Sequence, residues 1–537
     1  MFLLMLQFNM SMFSGFPKRI FISSGVMYNI NKTIGRVNEM IFYVKDFGAV
    51  GDGVTDCAPA IAEALQEIAR KQEPCELVFE KGASYLMRDG QGSAIAIDLQ
   101  KQQDLTLRGE ETTLIMDVTM GLHTYVNINE CKDIRMEGFR FKNAKPLYEI
   151  CKILDINEEQ LTMDIESRHD LEIEEYEASI PDCFGLPYTD YNRMHIFFSR
   201  ARRIPGEGYR YRVFLRDVDD LHKKLAYTRR MGLDFLMPMP NWAQVEYGAF
   251  IVTYTENLEL ENLDMWAYGH FGFHMRYNDG KFLMRNVNIT PEPGTDMAMT
   301  GWRDGVHLKE NRCSFLIENC RFEKLHDDVF NLSCTMMVVD KIYSDTEVNL
   351  YCKEFGGTYW MALREGDELT FYDENHGKAY GRNRIKKVIE QNGPVNRILL
   401  EKPIHMEEPG VSVGVNTLCQ PDSVIRNCYL KGTYRFRTPL LVENCKLDTM
   451  FAWVDTLRFI EGPIPEDITF RNCEFHHVVA PDPEVSFGDK EYLMAVETSA
   501  VDGTIPEFAC RNIVFERCKI NRDELKISHP ESVVYIQ

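Results

Sequence analysis

Basic residues are in short supply in this chain. There are 60 Lys and Arg against 82 Asp and Glu over 537 residues, a net charge of −22. That deficit argues against nucleic acid or an anionic membrane as partner, since both reward positive charge. No Cys-x-x-Cys pair occurs among the 15 cysteines, which leaves little basis for a structural zinc site. The glycines of "GAVGDG" do not have the spacing of a phosphate-binding loop. The apolar opening "MFLLMLQFNMSMFSGFPKRIF" lacks the basic n-region and the small-x-small cleavage site of a signal peptide, and it is too short for a membrane span. Met27 and Met40 are both alternative starts, so residues 1–40 are read as an N-terminal extension and kept out of the fold argument.

Helical periodicity is also scarce. In its place the chain carries a short repeated phrase: "DIRMEGFRF" (133–141), "NLELENLDM" (257–265), "FLMRNVNIT" (282–290), "SFLIENCRF" (314–322), "SVIRNCYL" (423–430), "PLLVENCKL" (439–447), "DITFRNCEF" (467–475) and "NIVFERCKI" (512–520). Each reads as a short alternating strand, a polar turn centred on Asn, often followed by Cys, and a second short strand. Asn262 and Asn286 stand 24 residues apart, a step that suits one coil of a right-handed parallel β-helix. The Asn would take the left-handed turn conformation that it tolerates better than most residues. Stacking would then align Asn319, Asn427, Asn444 and Asn472, and beside them Cys320, Cys428, Cys445 and Cys473 as buried, unpaired thiols. Free thiols fit a reducing compartment, and a cytoplasmic location is expected.

The expected fold class is therefore all-β: a β-helix with a capping helix over about Ala58–Lys71, introduced by Asp56 and Pro59. The N-terminal coils would occupy 41–144, the central coils 244–334 and the C-terminal coils 419–537. Two stretches interrupt the repeat, 145–243 and 335–418. Their alternating runs, such as "TEVNLYC" and "DELTFYD", predict small inserted all-β modules.

"GWRDGVHLKEN" and "HDDVFNLSC" carry the chemistry. Asp304 precedes Asp328 by 24 residues, one coil, and Asp327 is the neighbour of Asp328. Alternation points Val306, Leu308, Phe330 and Leu332 inward, so His307 and Asn331 stack outside and Asp304 lies over Asp328, with coils about 4.8 Å apart. Three carboxylates would meet in one patch, where at least one pKa should rise. Crowding would keep one protonated as an acid while the other two hold a water, the division of labour that inverting glycoside hydrolysis needs. Calcium binding or a solvated turn is the alternative. His274 would lie one coil before His307, and the column of His274, His307 and Asn331 flanks the trio as a candidate sugar-binding face. Arg435 and Arg437 alternate on a later strand, and Trp302 precedes the first aspartate; sugar contact and ordinary packing are both open for these four.

"YVKDFGAVGDGVTD" resembles the entry segment of the pectate-lyase-like β-helix superfamily, and the aspartate trio resembles that of its polygalacturonases. No Gly-His-Gly followed by an Arg-x-Lys, the combination that polygalacturonases use on a uronate, is found. The chain more closely resembles glycoside hydrolase family 110, in "NITPEPG" (288–294), "DGVHLKENRCSFLIENCRFE" (304–323), "DDVFNL" (327–332), "YRFRTPLLVENCKL" (434–447) and "EGPIPEDITFRNCEF" (461–475). The resemblance implies an inverting exo-α-1,3-galactosidase needing no metal or other cofactor. Asp327 would be the acid, with Asp304 and Asp328 holding the water. The implied partner is a carbohydrate with a terminal α-galactose, with a homodimer as an allowed assembly. A polygalacturonase-like hydrolase and a non-catalytic carbohydrate-binding β-helix are the other readings.

Overall fold

The structure is a computed structural model. It describes residues 39–537 apart from 72, 89–93, 121, 178–182, 189–193, 219, 240–247, 353–361, 374–377, 417–421, 456–460, 479–491 and 498–509. The extension read over 1–40 lies outside these residues except for its last two.

The polypeptide winds as a parallel β-helix with three strand stacks. In the first stack Leu77 pairs with Leu107, Leu107 with Met136, Met136 with Leu260, Leu260 with Met284, and Met284 with Ile317. The column continues through Ile425, Val442, Phe470 and Phe515. All of these side chains are buried. Full burial of each contributes about 1.5–3 kcal/mol, and the parallel register makes the core one continuous apolar column.

The turn after this stack has a fixed shape. Asn262, Asn286, Asn319, Asn427, Asn444 and Asn472 all take φ between 51° and 57°. Their amides bond along the column: Asn286 donates to Asn262 at 3.0 Å, Asn444 to Asn427 at 3.3 Å and Asn472 to Asn444 at 3.1 Å. Arg517 ends the ladder by donating to Asn472 at 2.8 Å. The next residue turns inward, so Cys320, Cys428, Cys445 and Cys473 pack as buried thiols. These four are free thiols; Cys419 lies outside the described residues.

The helix at Ala58–Ala69 buries Ile61, Ala64, Leu65 and Ile68 in the same core. Asp56 accepts the Ala58 amide at 3.1 Å, and Pro59 sits in the first turn. Both insertions form rings of strands. In the first, six strands between Tyr148 and Pro238 close through antiparallel pairings, with Glu175–Glu177 added at one edge. A helix at Leu221–Met231, absent from the strand-based expectation, joins this module and ends at left-handed Gly232. Its apolar positions are too few to stand out from the polar run "LHKKLAYTRRM". The second insertion is a closed six-stranded barrel between Met337 and Val415, with its own core.

Replacing Asn444 by Ala should cost about 1–2 kcal/mol for the left-handed backbone and about 1 kcal/mol for the lost amide bonds. Asn444→Gly should recover the backbone part. Urea denaturation of the three proteins checks this, and an Ala variant as stable as the wild type would refute the ladder's contribution.

Candidate active site

The third stack builds the site. Its register places His274 beside His307, His307 beside Asn331, Asn331 beside Arg435 and Arg435 beside Trp453. The inward neighbours Val306, Leu308, Phe330 and Leu332 are buried in the core, so this column faces out. Close stacking here depends on glycine. A Cβ at Gly272 would stand 2.6 Å from the Gly305 carbonyl oxygen, and one at Gly305 would stand 2.9 Å from that of Val329.

Asp304, Asp327 and Asp328 come together, each with an oxygen within 4.8 Å of the other two. Their surroundings differ. Asp304 is 4% exposed and Asp328 1% exposed, whereas Asp327 is half-buried. Asp304 Oδ2 lies 2.6 Å from His307 Nδ1. Burial, and after it the Asp327 charge, push the Asp304 carboxyl well above the ordinary range. Asp328 Oδ1 accepts from Thr433 Oγ1 at 2.7 Å, and Oδ2 accepts from Arg435 Nε. Asp327 Oδ2 faces Arg303 Nη1 at 3.3 Å. Next to Arg303 lies His270, which burial and the Arg303 charge push down to about 3, so its ring is neutral. Burial likewise keeps His274 neutral, and its Nε2 accepts from Arg276 Nε at 3.1 Å. The carboxylate spacing would also admit a divalent cation; Arg303 and Arg435 already supply positive charge at Asp327 and Asp328.

Some expected sugar contacts lie elsewhere. Trp302 is 2% exposed and stacks on Tyr148 and Phe184 of the first module, at ring separations of 5.5 and 4.6 Å. It packs the module against the coils and does not offer its ring to a sugar. Arg437 is fully buried and donates to Glu461 at 3.0 Å. Asn331 donates to Glu461 at 3.1 Å and accepts from Ser333 at 2.8 Å, so both ends of its amide are engaged within the protein. Alternation had put Asn331 on the outer face without revealing that a later loop covers it.

Sequence reasoning also passed over Arg303, Thr433, Lys309 and Glu461. Lys309 follows His307 by two and shares its face, so alternation could have found it. Glu461 belongs to no repeat, so alternation gave no sign of it; it stands first in the motif "EGPIPEDITFRNCEF".

Because its folded-state pKa is raised, Asp304 is destabilising once ionised. The wild type should lose stability as pH rises from about 4 through the raised value. Asp304→Asn should therefore melt higher than the wild type at neutral pH, with the gain vanishing below about pH 4. Calorimetry across that range checks the sign, and a lower neutral-pH Tm for Asp304→Asn would contradict it.

No family model matches the chain. Proteins named alpha-1,3-galactosidase A are similar to it. The one from Shewanella woodyi is 22% identical over 479 residues, 80% of this chain and 74% of that protein. The one from Streptomyces avermitilis is 21% identical over 83% of this chain and 80% of its own length, and the one from Bacteroides fragilis is 20% identical over 87% and 83%. Among solved structures, a hyperthermoactive exopolygalacturonase from Thermotoga maritima covers 90% of this chain and 89% of its own at 12% identity, with a TM-score of 0.34, too loose an overlap to carry an argument. Along most of its length, the chain resembles the alpha-1,3-galactosidases.

Proposed function

We propose that this protein, a glycoside hydrolase, is an exo-acting α-galactosidase that removes terminal α-1,3-linked galactose with inversion. The observation that carries the proposal is the cluster of Asp304, Asp327 and Asp328, whose oxygens lie within 4.8 Å and whose environments differ. The sequence likeness to proteins named alpha-1,3-galactosidase A supports the sugar and the linkage. The unpaired thiols support a reducing compartment, the cytoplasm, as its place of work.

Asp304, whose carboxyl is raised by burial and by the Asp327 charge, lies close enough to Asp327 for the two to share one proton. Asp327, the more open of the two, hands that proton to the leaving oxygen as the glycosidic bond breaks. Asp328, held by Arg435 and Thr433, stays ionised and with Asp304 orients a water. The water oxygen bonds to the anomeric carbon from the opposite side and gives its proton to that carboxylate pair. His307 is placed to steady the charge on Asp304.

The close spacing also favours a second reading, retention through a covalent intermediate, because carboxyl groups only about 5–5.5 Å apart are typical of double displacement. Against this, both Asp328 oxygens are already hydrogen-bonded, a state better suited to holding a water than to attacking carbon.

Each of Asp304→Asn, Asp327→Asn and Asp328→Asn should lower kcat by about 10²–10⁴ on an α-1,3-linked galactose disaccharide. A p-nitrophenyl leaving group, which needs little protonation, should restore activity in Asp327→Asn alone. Chelators should leave the rate unchanged. Proton NMR of the newly released sugar should show β-galactose first, whereas α-galactose first would establish retention.

A further inference from the structure

Glu461 stands on a two-residue strand that pairs antiparallel with Cys334 and Thr335, where the chain leaves the coils for the second barrel. It is 6% exposed. Its carboxylate gathers groups from three successive rungs of the third stack. Lys309 Nζ lies 3.3 Å from Oε1, and Asn331 Nδ2 donates to the same oxygen at 3.1 Å. Arg435 Nη1 donates to Oε2 at 2.7 Å and Arg437 Nη1 at 3.0 Å.

Arg435 also touches the aspartate trio, through Nε on Asp328. A guanidinium is a rigid planar fork, so fixing one nitrogen sets where the others point. With Nη1 tied to Glu461, Nε is directed at Asp328; the Trp453 ring, 4.9 Å from the guanidinium carbon, supports it on one face. Lys309 and Arg437 keep Glu461 itself in place. Although burial works against ionisation, these cations and Arg435 hold the Glu461 carboxyl well below the usual range.

We infer that Glu461 is a positioning residue: from outside the repeats, it orients Arg435 on Asp328 and sets the charge felt by Asp304. The inference rests on the hydrolase reading above. Two separable effects follow. One is geometric, since only a carboxylate of this length at this place aims the Arg435 fork. The other is electrostatic, since the Glu461 charge is among those that raise Asp304, alongside Asp327 and against Arg435 and Arg303.

The test uses the full-length protein and the α-1,3-linked galactose disaccharide, whose poor leaving group makes the rate depend on the acid's proton. Wild-type turnover comes first, and its absence would defeat the hydrolase reading before any variant is made. Given turnover, Glu461→Gln should lower kcat at least tenfold with KM little changed. It should also shift the alkaline limb of the pH–rate profile toward lower pH, because Asp304 loses a neighbouring anion. Glu461→Asp keeps the charge but shortens the arm, so it should lower kcat and leave that limb in place. If Glu461→Gln does not fold, Glu461→Asp decides by itself: reduced kcat with an unmoved limb supports the positioning role. Wild-type kcat in folded Glu461→Asp, or a folded Glu461→Gln with an unmoved limb, would overturn it.

Discussion

Parallel stacking in register is the constraint on which the rest depends. Rungs about 4.8 Å apart, joined by backbone hydrogen bonds, set each residue over its counterpart one coil away. Like therefore meets like. Apolar residues form an unbroken core, Asn amides bond to Asn amides, and thiols pack on thiols. For neutral residues the repetition is favourable. For charged ones it is not, and a coil that places Asp304 over Asp328 must supply counter-charge or a proton.

Both remedies are in use. Arg435 and Thr433 from the following rung bond Asp328, and Arg303 faces Asp327. Asp304, buried and next to Asp327, is driven toward its protonated form. Different responses to one crowding problem separate three chemically identical side chains into groups that can act as acid and as holder of a water. The arginine bonded to Asp328 is itself half-buried, and Glu461 supplies the counter-charge for it and for Lys309 and Arg437. Removing one member of such a network leaves the others buried without compensation.

The insertions bear on the site through packing. Trp302, two residues before Asp304, is covered by Tyr148 and Phe184 of the first module. The second barrel begins at Met337, next to the strand end that pairs with Glu461. Each module is thus braced against a residue within or beside the aspartate-bearing rungs, which limits how far those rungs can shift.

The repeat was legible in the sequence because a β-helix is governed by local rules. Alternation chooses which side chains turn inward, and Asn marks a turn that needs positive φ, so the coil period, the thiol columns and the meeting of Asp304 with Asp327 and Asp328 can all be read along the chain. The resemblance in motifs such as "DDVFNL" then supplied the chemistry. What lies over the outer face could not be read in this way. Asn331 occupies a position that alternation makes external, yet it is buried, as are Trp302 and Arg437, by elements distant in sequence. The helix at Leu221–Met231 was missed because its polar surface hides a narrow apolar stripe. Glu461 was missed because its role depends on a loop reaching back across 130 residues to Asn331. Local pattern determined the coils and the aspartate-bearing column, whereas long-range closure over that column decided which of its side chains remain exposed.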